Sequence, residues 1–291
     1  MNRIEPSHTR VMLLAAGRGA RMRELTDHCP KPMLEVGGKP LLAHALDRIV
    51  AAGYRDITLN VAWQGQVIVE WITAGAGGRL NPLRAQGHDI TVRISQEPPG
   101  ALETAGGILH ALYDDGRALV DAQALAAPIL VVNADVLCDH PLTPPALADG
   151  DLGHLVLAPN PGHHPSGDFR LVAGRVLPLD DDPATEAAEG PTSNPYLFAS
   201  PHHAVAAIHA QVFLPSATFC GIAWYRGALF AGLPPGPAAL GPILKSAATA
   251  GRLSGEIHDG LWLDVGTPER LIKANAMVGH DTAEDHGPGT R

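Results

Sequence analysis

A glycine-rich stretch, LLAAGRGARMRELT at residues 13–26, is followed closely by PKP at residues 30–32. A turn of this kind after an apolar run lets backbone N–H groups wrap a phosphate, while Arg and Lys side chains supply compensating charge. Leu14, Ala15, Ala16, Gly17 and Gly19 would form the wrapping backbone, the two glycines permitting close approach. Arg21 is the candidate clamp on a polyphosphate, and Lys31 the candidate neighbour of a reacting phosphate. The alternative reading is an ordinary strand-to-helix turn with surface arginines. The dinucleotide fingerprint does not fit, because Met22 stands where its third glycine belongs, and the Walker lysine pattern is absent. Two distant aspartates each follow an apolar run, Asp135 after PILVV and Asp264 after GLWL. Alone, each reads equally as a turn or cap residue. Beside an anion-binding loop, the pair suits Mg2+, which takes one or two carboxylates together with substrate phosphates. Such an ion neutralises charge when one anion must attack another.

The elements that position these groups follow from periodicity. From Val11 to about Gly150, short β-rich runs alternate with longer helical patterns, the signature of βαβ units on a mostly parallel sheet. VMLLAAG is the first strand. In KPLLAHALDRIVAAG, Leu41, Leu42, Ala45, Leu46, Ile49 and Val50 share one helical face, and Gly53 is the stop. DITLNVAW, ITVRISQ and PILVVNAD read as strands, QGQVIVEWITA and ETAGGILHALY as helices. Asp135 then lies at the carboxyl edge of the sheet, where ligands of open α/β folds bind. Beyond Asp151 come short extended runs (HLVLAP, FRLVAG, RVLPL, ATFCGIAWY) and, at residues 180–203, a Pro-, Ala- and Ser-rich stretch expected to be a surface insertion. Helices are expected at residues 236–251 and 268–278, separated by EIHDGLWLDVG as a strand candidate, with a disordered tail over 281–291.

Of the 291 residues, 45% are hydrophobic and 18% charged, enough apolar surface for a substantial core. A formal charge of -9 argues against a general nucleic-acid binder. Yet Arg10, Arg18, Arg21, Arg23 and Lys31 face only Glu24 and Asp27 over the loop region, a local anion site in an acidic protein. Three separated cysteines, Cys29, Cys138 and Cys220, fit a reduced compartment better than a disulfide framework. The start lacks a signal peptide's apolar core and no run approaches the roughly 20 residues of a membrane helix, so a soluble cytoplasmic protein, without membrane contact, is expected. His163-His164 and His202-His203 lack the closely spaced cysteines or carboxylates of a zinc pattern.

Residues 13–26 with 30–32 resemble the signature loop of the sugar-nucleotide pyrophosphorylases, L-A-A-G-x-G-x-R-M-x-x-L-T. Glu103-Thr104-Ala105-Gly106-Gly107 resembles that family's base-recognition segment, Asn133-Ala134-Asp135 its metal-binding strand end, and Trp262-Leu263-Asp264-Val265-Gly266-Thr267 its second metal-binding segment. The resemblance implies a three-layer α/β/α Rossmann-like nucleotidyltransferase fold with a mixed, mostly parallel central sheet. It implies one domain over 1–280, with a nucleotide half at about 10–150 and a sugar half at about 151–280. It also implies Mg2+ on Asp135 and Asp264, and nucleotide contacts from the loop, Glu103, Thr104, Gly106 and Asn133. Transfer would run from a nucleoside triphosphate to a sugar 1-phosphate, in a monomer or small homo-oligomer. Regulatory relatives that bind sugar nucleotides without turnover typically lose the loop or a metal carboxylate, and this chain keeps both. Cytidylyltransferases acting on small alcohol phosphates share the loop but lack the W-x-D-V-G-T segment.

The chain departs from the family pattern in places. Ala134 replaces the usual glycine of Asn-Gly-Asp, and the Glu-Lys pair many members use to hold the sugar is replaced by NPGHHPSGDFR at residues 160–170. That stretch, with Asn60-Val61-Ala62-Trp63 and LETAGG, resembles the branch acting on N-acetylmuramic acid 1-phosphate with UTP in cell-wall recycling. Trp63, His163, His164, Asp168 and Arg170 then become candidate sugar-binding residues. Thr104-Ala105-Gly106 is also similar to mannose-1-phosphate guanylyltransferases, so guanine specificity is the alternative, with glucose-1-phosphate uridylyl- or thymidylyltransfer beside it.

Overall fold

The computed structural model describes residues 4–74, 89–98, 102–114, 127–179 and 215–284, with Leu80, Leu83, Gly87 and Gly100 between them. The strands are β1 (Arg10–Leu14), β2 (Glu35–Val36), β3 (Lys39–Pro40), β4 (Asp56–Val61), β5 (Thr91–Gln96), β6 (Pro128–Asn133) and β7 (Val136–Cys138), then β8 (Gly153–Pro159), β9 (Phe169–Val172), β10 (Arg175–Pro178), β11 (Ser216–Arg226), β12 (Leu253–Ile257) and β13 (Trp262–Asp264). The α-helices are α1 (Leu41–Ala51), α2 (Gly65–Thr73), α3 (Glu103–Asp114), α4 (Leu240–Thr249) and α5 (Pro268–Glu284).

A nine-stranded mixed sheet runs β5-β4-β1-β6-β11-β8-β12-β10-β9. The strands from β5 to β6 are parallel, while β11 is antiparallel to both of its flanking neighbours. The parallel half is apolar on both faces because helices cover both. On β1, Val11 and Leu13 enter a core with Leu42, Leu46 and Ile49 of α1 and with Ile68 and Ile72 of α2. Met12, between them, points the other way to Ile108 and Leu109 of α3 and Leu244 of α4. This alternation along one strand makes three layers, α/β/α. All six apolar residues expected on the face of α1 are buried. The helix ends as expected at Gly53, φ 94°, where Gly53 N–H bonds to Val50 O and Tyr54 N–H to Ile49 O, a Schellman cap.

The chain passes from β1 outward to β4 and β5 and then returns to β6 on the other side of β1. This reversal opens a crevice at the carboxyl ends of β1 and β6, where Leu14 stands opposite Asn133. A third core cluster, with Met22, Leu34, Val36, Leu41, Leu137, Leu263, Val265 and Ala274, ties the glycine-rich loop to the ribbon β7/β13 and to α5. Burying Met22 completely contributes about 1.5–3 kcal/mol toward anchoring a loop that otherwise has little regular structure. The run EIHDGLWLDVG holds parts of two strands, β12 and β13. Helix α5 continues to Glu284, past the expected start of the tail, and residues 285–291 lie outside the described residues. The expected insertion at 180–203 and His202-His203 lie outside them too. No helix among the described residues is long and apolar enough to cross a membrane.

Candidate active site

The glycine-rich loop leaves β1 and is braced from below by Asn60, the last residue but one of β4, so buried (3% exposed) that its amide must be paired. Its Oδ1 accepts the Ala15 N–H at 2.8 Å, and its Nδ2 donates to Glu97 Oε1 at 2.7 Å. Burial pushes the Glu97 carboxyl above its ordinary range, and the Asn60 hydrogen bond opposes that. Gly19 adopts φ 66°, and a Cβ there would lie 3.0 Å from Lys31 Cβ and Cδ. Only glycine therefore serves both the left-handed turn and the Lys31 side chain packed on it.

Lys31 is 6% exposed. Its ammonium lies 2.5 Å from Asp135 Oδ2 and 3.8 Å from Asp264 Oδ1, so residues 31, 135 and 264 converge although 233 positions separate the first from the last. The ribbon achieves this: Asp264 pairs in register with Val136, and Val265 N–H bonds to Asp135 O at 3.0 Å. Two carboxylates whose oxygens already share a cation form a hard, all-oxygen donor set that fits Mg2+.

Two adjoining cavities open here. The smaller, about 320 Å³, is lined by Leu14, Ala15, Gly17, Gly19, Arg21, Lys31 and Asp135. The larger, about 770 Å³, takes in Ala16, Gly17, Arg18, Asn60, Trp63, Gln96, Glu97, Glu103, Thr104, Asn133 and Asp135. Arg18 lies over the Trp63 ring at 4.5 Å from its centroid, and the Trp63 indole N–H holds Thr26 O. Trp63, expected among the sugar-binding residues, lines the larger cavity together with Glu103 and Thr104. Glu103 starts α3 with φ 57°, an uncommon conformation for a non-glycine residue and one that clusters at ligand sites. Gly106, expected against the nucleotide, packs on residues 236–238: a Cβ there would meet Gly236 O at 2.3 Å, and its N–H bonds to Ala238 O. Asn133 faces Gly221, at φ 72° in a bulge of β11, where any Cβ would lie 2.5 Å from its Nδ2.

The expected sugar residues separate. His164 and Asp168 pair with each other at 3.1 Å, and Asp168 also accepts the Phe219 N–H, so both hold their own loop. Arg170, on β9, lies in neither cavity. His163 does reach the centre, through a residue the sequence reading missed: Arg270 of α5 donates to His163 Nε2 at 2.6 Å and lies 3.0 Å from Asp264 Oδ2. Burial and then the Arg270 charge lower the His163 pKa, with Asp264 opposing them. Gly266 makes room, since a Cβ there would lie 2.3 Å from Arg270 Nη2. Asn60, Gln96, Glu97 and Arg270 were also absent from the expected site; the only signal was a polar residue at a strand end or one turn into a helix.

Known proteins resemble this chain along nearly its whole length. Residues 10–149 match the nucleotidyl transferase family model. The chain is 37% identical to the N-acetylmuramate alpha-1-phosphate uridylyltransferase of Neisseria meningitidis serogroup B, over 93% of this chain and 98% of that one. It is 31% identical to the protein of the same name from Caulobacter vibrioides, over 92% and 96%. A solved putative glucose-1-phosphate thymidylyltransferase from Bacillus anthracis shares the fold, with a TM-score of 0.64 at 17% identity over 97% of this chain and 98% of that one. The chain therefore belongs to the nucleotidyl transferase family and is a sugar-1-phosphate nucleotidyltransferase.

Proposed function

We propose that the enzyme joins UTP to N-acetylmuramic acid 1-phosphate in a Mg2+-dependent reaction, releasing pyrophosphate and the UDP-activated sugar for cell-wall recycling in the cytoplasm. The observation that carries this reading is the similarity, along nearly the whole chain, to two N-acetylmuramate alpha-1-phosphate uridylyltransferases. The cleft supports it. The larger cavity takes the nucleoside and the smaller one the triphosphate, with the loop N–H groups and Arg21 on the phosphates. Lys31 neutralises charge beside the α-phosphate as the sugar phosphate oxygen attacks it and the bond to the β-phosphate oxygen breaks. Asp135 and Asp264 would hold Mg2+, which supplies further neutralisation of charge on the phosphates. Arg270 fixes the Asp264 carboxylate. Muramic acid differs from glucosamine by a lactyl carboxylate, and Arg270, which donates to His163 Nε2, brings a guanidinium beside the carboxylate pair.

The test is pyrophosphate release across a matrix of nucleoside triphosphates and sugar 1-phosphates. UTP with the muramate substrate should give the highest kcat/KM. Discrimination against N-acetylglucosamine 1-phosphate should approach about 10⁴-fold if site donors are left unpaired, against roughly 10–200-fold for a size difference alone. Equal use of both sugars, or preference for GTP with mannose 1-phosphate, overturns the assignment while leaving the enzyme class standing.

A further inference from the structure

Three side chains outside the cleft meet at the opposite end of the β7/β13 ribbon. Cys138 ends β7, Asp139 follows it and His258 follows β12; a sulfur, a carboxylate oxygen and an imidazole nitrogen from them lie within 4.8 Å of one another. His258 Nε2 is 2.7 Å from Asp139 Oδ1, with His258 11% and Asp139 57% exposed. Main-chain bonds fix both residues: His258 N–H donates to Leu157 O at 2.7 Å and Asp139 N–H to Leu261 O at 3.1 Å. A Cβ at residue 260 would lie 2.5 Å from Asp139 Oδ1 and 2.6 Å from the His258 ring, so Gly260 is what lets the two groups meet. Cys138 Sγ accepts the His140 N–H at 3.4 Å. Arg48 donates through Nη1 to Cys138 O, and its buried Nε and Nη2 have no hydrogen-bond partner among the described residues.

We propose that Cys138, Asp139 and His258 bind a borderline divalent transition metal, of which zinc is the type, with Leu261 O or water completing four-coordination. The donor set decides the ion: thiolate and imidazole favour zinc, whereas carboxylates alone favour magnesium. Ligand atoms bonded at about 2.0–2.3 Å around a tetrahedral ion stand roughly 3.3–3.8 Å apart, so the group closes on a metal with small side-chain movements. Trp262 pairs with Cys138 at this end of the ribbon and Asp264 with Val136 at the other. An ion here pins the short ribbon that carries Asp264 to the centre of the cleft, and the two ends sort hard from borderline cations by donor chemistry. Such a site is separate from the Mg2+ reading of the cleft and stands or falls without it.

Protein stripped by chelator and titrated with Co2+, zinc's spectroscopic stand-in, in excess Mg2+ provides the test. One equivalent should bind with thiolate-to-cobalt charge-transfer absorption and the strong visible bands of a four-coordinate ion, and Zn2+ should bleach both. Cys138→Ser should remove the charge-transfer band, and His258→Gln should weaken binding by more than about tenfold. Mg2+-dependent turnover should persist in both variants, since neither residue touches the cleft. Only weak, octahedral-type absorption, the same in wild type and Cys138→Ser, overturns the proposal. Should Cys138→Ser fail to fold, the exposed Asp139→Asn decides: zinc should raise its melting temperature less than that of wild type, and an equal rise overturns the site.

Discussion

At the scale of single residues, the cleft is a problem of charge. Lys31 shares two carboxylates and Arg270 shares one with His163, so each cation has more than one anion or acceptor to balance. Removing one charge leaves its partners buried and uncompensated, which is costlier than losing an exposed pair. Asp135→Asn and Asp264→Asn should therefore each lower kcat by at least about 10²–10³-fold while the protein remains folded. Arg270→Lys should retain part of the activity that Arg270→Ala loses, because lysine keeps the charge but not the planar fork that reaches Asp264 and His163 together. Steady-state kinetics alongside circular dichroism would check this; near wild-type turnover in either aspartate variant would remove that residue from the proposed metal site.

At the scale of elements, the loop is held by contacts rather than by regular structure. Met22 sinks into the third core cluster, Asn60 caps the loop's start, and Gly19 lies against Lys31. Gly19→Ala places a methyl in a left-handed conformation, costing about 1–2 kcal/mol, and pushes on the Lys31 side chain. A displacement of about 1 Å at a reacting centre can cost about 10²-fold in rate. Activity should thus fall by far more than stability does, by comparison of kcat/KM with a urea midpoint. A large stability loss with unchanged kinetics would make the glycine a purely structural turn residue.

Across the whole molecule, distant segments meet through buried polar groups as well as through the core. Glu256 on β12 accepts from His140, which follows β7, and lies within 3.5 Å of His154 on β8. Those contacts hold its carboxyl at about 2, below the ordinary 4.5. A depressed carboxylate stabilises the fold fully above about pH 4.5 and loses that contribution as the pH falls toward about 2. With 45% of its side chain exposed, water screens the effect and keeps it modest. Glu256→Gln should flatten the acid limb of a melting-temperature curve between those two values; superimposable acid limbs would show that the contacts carry no net stability.

The sequence by itself determined what local chemistry can encode. Apolar periodicity set the layers and α1, Gly53 set its end, and the loop with Asp135 and Asp264 singled out residues that the fold brings to one cleft, because strand ends, caps and glycine turns act within a few residues. Tertiary structure alone decided which distant groups meet. Arg270 reaches Asp264 and His163 only because α5 folds back beside the ribbon. Gly106 packs on residues 236–238, which fill the space beside it. His164 and Asp168 spend their hydrogen bonds on each other and on Phe219. Cys138, Asp139 and His258 come together across some 120 positions of chain, in a register fixed by pairing between strands. No spacing along the chain records such meetings, since they depend on packing and strand register, which the pattern of residue types constrains only in sum.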